Sequence, residues 1–233
     1  MSQKTFLIFF GPPGSGKGTQ ADMLAKKLNL PVVSPGELLR HEEDSNTAIG
    51  RKIKPIIDSG KLVPDEIIEK IILKCFKRFD ARAGIVFDGY PRKRAQLDFL
   101  IKKLEKIAGK HACRQGRQDY VRAILINVSD KEVKRRLGGR RVCDCGAAYH
   151  LIYNPPKKSG LCDLCGKKLY IRHDDKPKLI ADRLKLYHQK IKPLLDYFEK
   201  SDKLIEIDGE QNINQVQNNI IKELAERAMY DNN

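Results

Sequence analysis

The chain has 233 residues, 41% of them hydrophobic, which is enough for one substantial α/β core carrying a small inserted module. A formal net charge of +15 suits a protein that handles polyphosphates or nucleic acid, and lysines on solvated faces would produce it equally well. The apolar opening FLIFF is too short for a signal peptide, and no later run approaches membrane-spanning length; a helical membrane protein is excluded and a cytoplasmic one expected.

In chain order, Phe6 to Thr19 (FLIFFGPPGSGKGT) reads as a buried strand, a glycine-rich loop and the start of a helix. Gly11, Gly14, Gly16 and Gly18 lack a Cβ, so the backbone around Ser15 can curl and aim successive N–H groups at an anion. Lys17 adds a point charge and Thr19 a hydroxyl, although Gly18 separates the two where the general pattern has Ser or Thr directly after Lys. The following helix is expected to pack Ala21, Leu24, Ala25 and Leu28 on the sheet, with its positive N-terminal end towards the phosphates. LPVVS reads as a second strand. From Glu37 to Phe79 the pattern is helical, with breaks expected at Pro55, Gly60 and Pro64 and a new helix beginning at Pro64.

GIVFDGYPR (84–92) reads as another buried strand, followed by the helix AQLDFLIKKLEKIA and a polar, irregular stretch. AILINV is a fourth strand and SDKEVKRRL a helix, with Ser129 as N-cap and Glu132 at capping-box spacing. Cysteines, prolines and short polar segments fill Gly138 to Asp175. A long amphipathic helix from Pro177, the strand LIEID and a terminal helix complete the chain. Strands alternating with helices predict a parallel sheet covered on both faces.

The cysteines Cys143-x-Cys145 and Cys162-x-x-Cys165, with sixteen residues between the pairs, come close to the spacing of a zinc ribbon. Glycine follows Cys145 and Cys165, permitting the turns whose N–H groups point at thiolate sulfur. The first pair is one residue short of C-x-x-C. Structural Zn²⁺ is the leading reading, with a degraded site or disulfides as alternatives, and a metal here would hold together a module with little core of its own. Cys75 reads as a small buried apolar residue; Cys113 has no evident partner.

GPPGSGKGTQ, GYPR and the late segment pairing Asp174-Asp175 with an arginine-bearing helix together resemble the adenylate kinase family of nucleoside monophosphate kinases. The resemblance covers the chain from Phe6 to the terminal helix, with Lys110 to Asp119 as a local insertion. It implies a P-loop kinase core of five parallel strands (1–33, 64–138 and 176–233), a helical monophosphate-binding segment (34–63) and a lid (139–175) with the four-cysteine site. It implies Mg²⁺-dependent transfer of the terminal phosphoryl group of ATP to AMP, giving ADP, by a cytoplasmic monomer.

Carried onto matching positions, the resemblance assigns Gly14, Ser15, Gly16, Lys17, Gly18 and Thr19 to the ATP phosphates, and Arg136, Arg140, Tyr149 and Gln211 to the rest of ATP. Pro35, Arg40, Lys61, Leu62, Val63, Gly89, Tyr90, Pro91, Arg92 and Gln96 would hold AMP, together with Arg172 and Arg183. Lys17, Arg92, Arg140, Arg172 and Arg183 would stabilise the transferring group, because two polyanions need positive charge more than a proton acceptor. Asp88 would hold the water shell of Mg²⁺ or cap the turn at Gly89, and the two are compatible. The amide of Gln96 would read the adenine edge. The family usually has Thr where this chain has Pro35, so one contact to the base is missing. Another monophosphate such as UMP or CMP, or GTP as donor, is therefore kept as an alternative. From other classes come a zinc-containing nucleic-acid-binding ATPase, disfavoured by the absence of Trp and of aromatic-basic interleaving, and a non-catalytic nucleotide sensor.

Overall fold

The run TFLIFF forms strand β1 (Thr5–Phe10), whose period-two alternation feeds two cores: Phe6, Ile8 and Phe10 face one side of the sheet, Leu7 and Phe9 the other. The computed structural model describes residues 5–45, 47–59, 61–79, 83–108 and 121–230. The insertion Lys110 to Asp119 with Cys113, and the break expected at Gly60, lie outside them.

Helix α1 (Lys17–Leu28) leads to a short β2 (Val32–Val33). Two helices, α2 (Pro35–Asp44) and α3 (Ala48–Asp58), pack on each other before α4 (Asp65–Arg78), which starts after Pro64 as expected. Strand β3 (Gly84–Asp88), α5 (Arg94–Ala108), β4 (Val121–Asn127) and α6 (Asp130–Gly139) follow. The cysteine module contains an antiparallel pair, β5 (Arg140–Val142) and β6 (Ala148–His150), and ends in a 3₁₀ turn at His173–Asp175. Helix α7 (Pro177–Glu199), β7 (Leu204–Asp208) and α8 (Ile213–Tyr230) close the chain. Among the described residues no helix is long and apolar enough to cross a membrane.

The five-stranded sheet runs β2-β3-β1-β4-β7 with every neighbouring pair parallel, as the alternation of strands and helices predicts. From β1 the chain steps over to β2, returns to β3, and then crosses to β4 on the other side. The strand order therefore reverses beside β1, and a crevice for ligands opens outside the carboxyl ends of β1 and β3. Phe9 lies opposite Asp88 in the register, so the glycine-rich loop after β1 and the turn after β3 share that crevice.

Three local expectations are corrected. Pro55 does not break α3. Its ring lies on the exposed face of the helix, while Ile53 is fully buried and holds the helix through the proline. Leu28 is 43% exposed, because Asn29 ends α1 in a left-handed turn and brings Leu30 against the core in its place. The capping box of α6 is half formed: Ser129 Oγ accepts from Glu132 N–H at 3.4 Å, but the Ser129 N–H donates to Glu210 Oε1 at 2.9 Å. Glu132 turns instead to Arg135, Arg136 and the Tyr153 hydroxyl.

Candidate active site

The loop between β1 and α1 is built from residues that only glycine suits, with φ of 77° at Gly14 and 91° at Gly16. Lys17, the first residue of α1, donates from Nζ to the Pro12 carbonyl at 3.2 Å, so its ammonium folds back over the loop. Burial lowers its pKa to about 8; Asp88 opposes the shift, and Arg92, Arg183 and Arg140 add to it. Ser15 is buried and its hydroxyl has no partner among the described residues. Arg136 seals the far side, donating to the carbonyls of Ser15 at 3.1 Å and Gly209 at 2.7 Å.

Across the crevice, Arg92 is held by its own turn, Nε donating to the Gly89 carbonyl at 2.8 Å. A Cβ on Gly36 would lie 3.4 Å from Arg40 Nη1 and 3.5 Å from Arg92 Nη2; one on Gly89 would lie 3.4 Å from Lys17 Cε and 3.5 Å from Arg92 Nη2. Three cations from α1, α2 and the turn after β3 thus crowd around two glycines. Burial, then Arg172, lowers the Arg40 pKa to about 10. A basin with surplus positive charge suits a polyanion.

Asp174 and Asp175 restrain the remaining arginines. Arg172 grips Asp174 with Nε and Nη2, and Arg140 grips Asp175 with Nε at 2.7 Å and with Nη2. Arg183 donates to the Asp174 carbonyl at 2.8 Å and reaches both carboxylates. Burial alone would raise the Asp174 pKa, but Arg183 and Arg172 hold it well below the usual carboxylate range. Asp88 accepts from Ser34 Oγ at 3.2 Å and lies against Gly18, while its other oxygen, Oδ1, is buried with no partner among the described residues. A buried, unshared carboxylate oxygen beside the glycine-rich loop fits the residual ligand needs of Mg²⁺, which keeps most of its waters.

The structure gathers all twelve residues expected at AMP, Pro35, Arg40, Lys61 to Val63, Gly89 to Arg92, Gln96, Arg172 and Arg183, around one pocket that also reaches Lys17. Gln96 is 3% exposed, with Oε1 accepting from Arg92 N–H and Nε2 donating to Asp65. The sequence reading missed Asp65, gave Asp174 and Asp175 no role of their own, and missed the wall supplied by α7 through Leu186, Tyr187 and Ile191. The pairing of Arg172 with its two following aspartates was the available signal for the clamp; nothing local marks Asp65 or Tyr187. Thr19 is exposed on α1. Gln211 bonds Asp208 and Asn219 in the loop after β7.

Tyr149 lies elsewhere. It is 9% exposed inside the cysteine module, where its hydroxyl accepts from Asp163 N–H at 2.8 Å and meets Cys162 Sγ at 3.5 Å. Its hydroxyl is thus committed to Asp163 and Cys162. The four sulfurs of Cys143, Cys145, Cys162 and Cys165 lie within 4.8 Å of one another, with Cys143 to Cys165 at 3.4 Å and Cys145 to Cys162 at 3.5 Å. Tetrahedral zinc with Zn–S of about 2.3 Å needs sulfurs about 3.8 Å apart. The shortened first pair does not prevent convergence. The N–H groups of Leu164 and Cys165 point at Cys162 sulfur, and the cysteines are not disulfide-bonded.

A parallel sheet whose first strand feeds a glycine-rich loop, a lysine at the helix start and an arginine-lined pocket at the switch point define a P-loop protein of the phosphoryl-transfer class. Comparison with known proteins narrows this. The family model described as Adenylate kinase matches residues 9–203. The chain is 43% identical over 219 residues to the adenylate kinase of Methanothrix thermoacetophila, covering 94% of this chain and 98% of that one. It is 44% identical over 210 residues to that of Methanocella arvoryzae (90% and 93% covered) and 39% identical over 220 residues to that of Caldicellulosiruptor bescii (94% and 98%). The chain belongs to the adenylate kinase family.

Proposed function

We infer that the chain is a phosphotransferase that moves the terminal phosphoryl group of ATP to AMP, reversibly and with Mg²⁺, giving two ADP. The observation that carries this is the meeting of Lys17 with Arg40, Arg92, Arg172 and Arg183 around one pocket. In the forward step an anionic oxygen of the AMP phosphate bonds to the terminal phosphorus while the bridging bond to the rest of ATP breaks, its electrons leaving on the ADP oxygen. The attacking oxygen is already charged, so no general base is required and the side chains act through charge and position.

In this reading the backbone of Gly14 to Thr19 and Lys17 cradle the ATP phosphates, and Arg40 and Arg92 grip the AMP phosphate. Arg140, Arg172 and Arg183 exchange their aspartate partners for phosphoryl oxygens. Their guanidinium forks match such oxygens better than lysine does. Arg136 and Gln211 border the remainder of ATP. Mg²⁺ held through Asp88 would neutralise charge between the phosphates of ATP. Residues 34–63 form the monophosphate segment and 139–175 the lid, which excludes water so that the phosphoryl group is not lost to hydrolysis. Zn²⁺ on Cys143, Cys145, Cys162 and Cys165 would hold that lid in shape. The cytoplasmic, monomeric state belongs to the same proposal.

UMP or CMP kinase activity, a GTP donor and a nucleic-acid-binding ATPase are not favoured, since the relatives matched are named adenylate kinases. A coupled assay with ATP and Mg²⁺ against AMP, UMP, CMP and GMP tests the reading. Strong preference for AMP is expected despite Pro35; comparable activity on all four would refute the AMP assignment, and no transfer to any would refute the kinase.

A further inference from the structure

Building on the reading of Gln96 as the residue that faces the acceptor base, we propose that Asp65 is a positioning residue. It fixes the polarity of the Gln96 amide and so selects bases that present an amine donor beside a ring-nitrogen acceptor over those that present an oxo acceptor beside a ring N–H.

Gln96 sits in the first turns of α5, almost wholly buried, and lines the pocket. Its amide is held at both ends by partners that tolerate only one orientation. Oε1 accepts from the backbone N–H of Arg92 at 2.8 Å, a group that can only donate. Nε2 donates to Asp65 Oδ1 at 2.7 Å. Asp65 begins α4, and Lys93 Nζ lies 3.0 Å and 3.2 Å from its two oxygens, so the carboxylate is paired with an ammonium and only accepts. Turning the amide over would set its NH₂ against the Arg92 N–H and its carbonyl against the carboxylate. Both bonds would be lost at a side chain that is 3% exposed.

Each end of the amide spends half its capacity on these anchors. One N–H and one oxygen lone pair remain, side by side and in fixed order. Adenine presents an exocyclic N–H donor beside a ring-nitrogen acceptor, and that order matches: the amide oxygen accepts from the amine and the amide N–H donates to the ring nitrogen. Cytosine has the same order. Hypoxanthine, guanine and uracil present an oxo acceptor beside a ring N–H, and would meet donor with donor and acceptor with acceptor. Arg92 alone supplies one of the two constraints; Asp65, arriving from a separate helix, supplies the other. This also accounts for Lys93 within the run Arg92-Lys93-Arg94: it orients Asp65, while Arg94 bonds Asp98 and covers the ring of Tyr197.

The test compares AMP with inosine monophosphate as acceptors for the full-length wild type, Asp65→Ala, Asp65→Asn and Gln96→Leu. It reads the ratio of kcat/KM and, by calorimetry, the ratio of Kd. Asp65→Asn keeps the volume and covers the case in which Asp65→Ala does not fold. The AMP-to-IMP ratio should fall about tenfold or more in Asp65→Ala and by a smaller factor in Asp65→Asn, whose Oδ1 can still accept from Gln96 but whose NH₂ group can also turn to it, with the KM for ATP unchanged. General loss of structure would lower both acceptors together and leave the ratio intact. A ratio preserved in the Asp65 variants but collapsed in Gln96→Leu would overturn the role of Asp65 and spare the base reading. Preservation in Gln96→Leu would overturn both.

Discussion

Around β1 the chain buries Phe6, Leu7, Ile8 and Phe9 completely, whereas between Arg140 and Ile171 only Cys143, Tyr149 and Cys162 are less than a tenth exposed. In the same stretch Leu151, Ile152, Leu164 and Ile171 are half or more exposed. The sheet is held by apolar burial on both faces and can keep a phosphate loop rigid without help. The cysteine module has little area to bury, and four sulfurs converge in it where the proposed metal would supply the missing stabilisation. With the module acting as the proposed lid, a rigid phosphate site and a separately stabilised cover would suit a reaction in which water must be shut out after both substrates have entered.

The largest break in this comparison should come from the sulfurs. Cys162→Ser, or exhaustive chelation, should unfold the module and lower phosphoryl transfer by about a thousandfold, since Arg140 and Arg172 lose their placement. The helix signal of the core should be nearly unchanged, and limited proteolysis should cut within 139–175; an intact, active protein after verified metal loss would contradict the account. Next, Arg140→Lys should reduce kcat by about a hundredfold while the KM for AMP moves less than about threefold, because a point charge cannot reproduce the fork. Equal losses in both parameters would place Arg140 in ground-state binding.

On the core side the comparison sharpens with pH. Lys17, its pKa lowered by burial to about 8, is charged below that value and neutral above it. In the free enzyme kcat/KM for ATP should therefore fall about tenfold per unit above pH 8, while kcat, which reports the nucleotide-bound state, holds to higher pH. The smallest effect belongs to an exposed cap of α6: Ser129→Ala should cost about 1 kcal/mol in chemical denaturation and leave turnover unchanged.

Most of the core was legible because its signals are local. FLIFF before GPPGSGKGT dictates strand, loop and helix, and the alternation of apolar runs dictates a parallel sheet. The misreadings share one cause: tertiary packing overrode a local rule. Ile53 carried α3 through Pro55, Leu30 took the place of Leu28, and Glu210 took the N–H that a capping box would have given to Glu132. The pocket was legible wherever a motif spelled it, as in GYPR, and at Lys61 to Val63. It was not legible where one helix supplies a partner to another. Asp65 reads as an ordinary acid in a helix's first turn, and only the fold sets its carboxylate against Gln96. Tyr149 shows the converse: a motif position whose hydroxyl the fold commits to the cysteines.

The most direct test of transfer between nucleotides is the stoichiometry of the reaction, followed by phosphorus NMR on the purified chain with equal ATP and AMP and excess Mg²⁺. ATP and AMP should disappear together, with two ADP appearing for each pair and no inorganic phosphate. Consumption of ATP with AMP constant and inorganic phosphate rising would mean that water is the acceptor, and the central claim would fail.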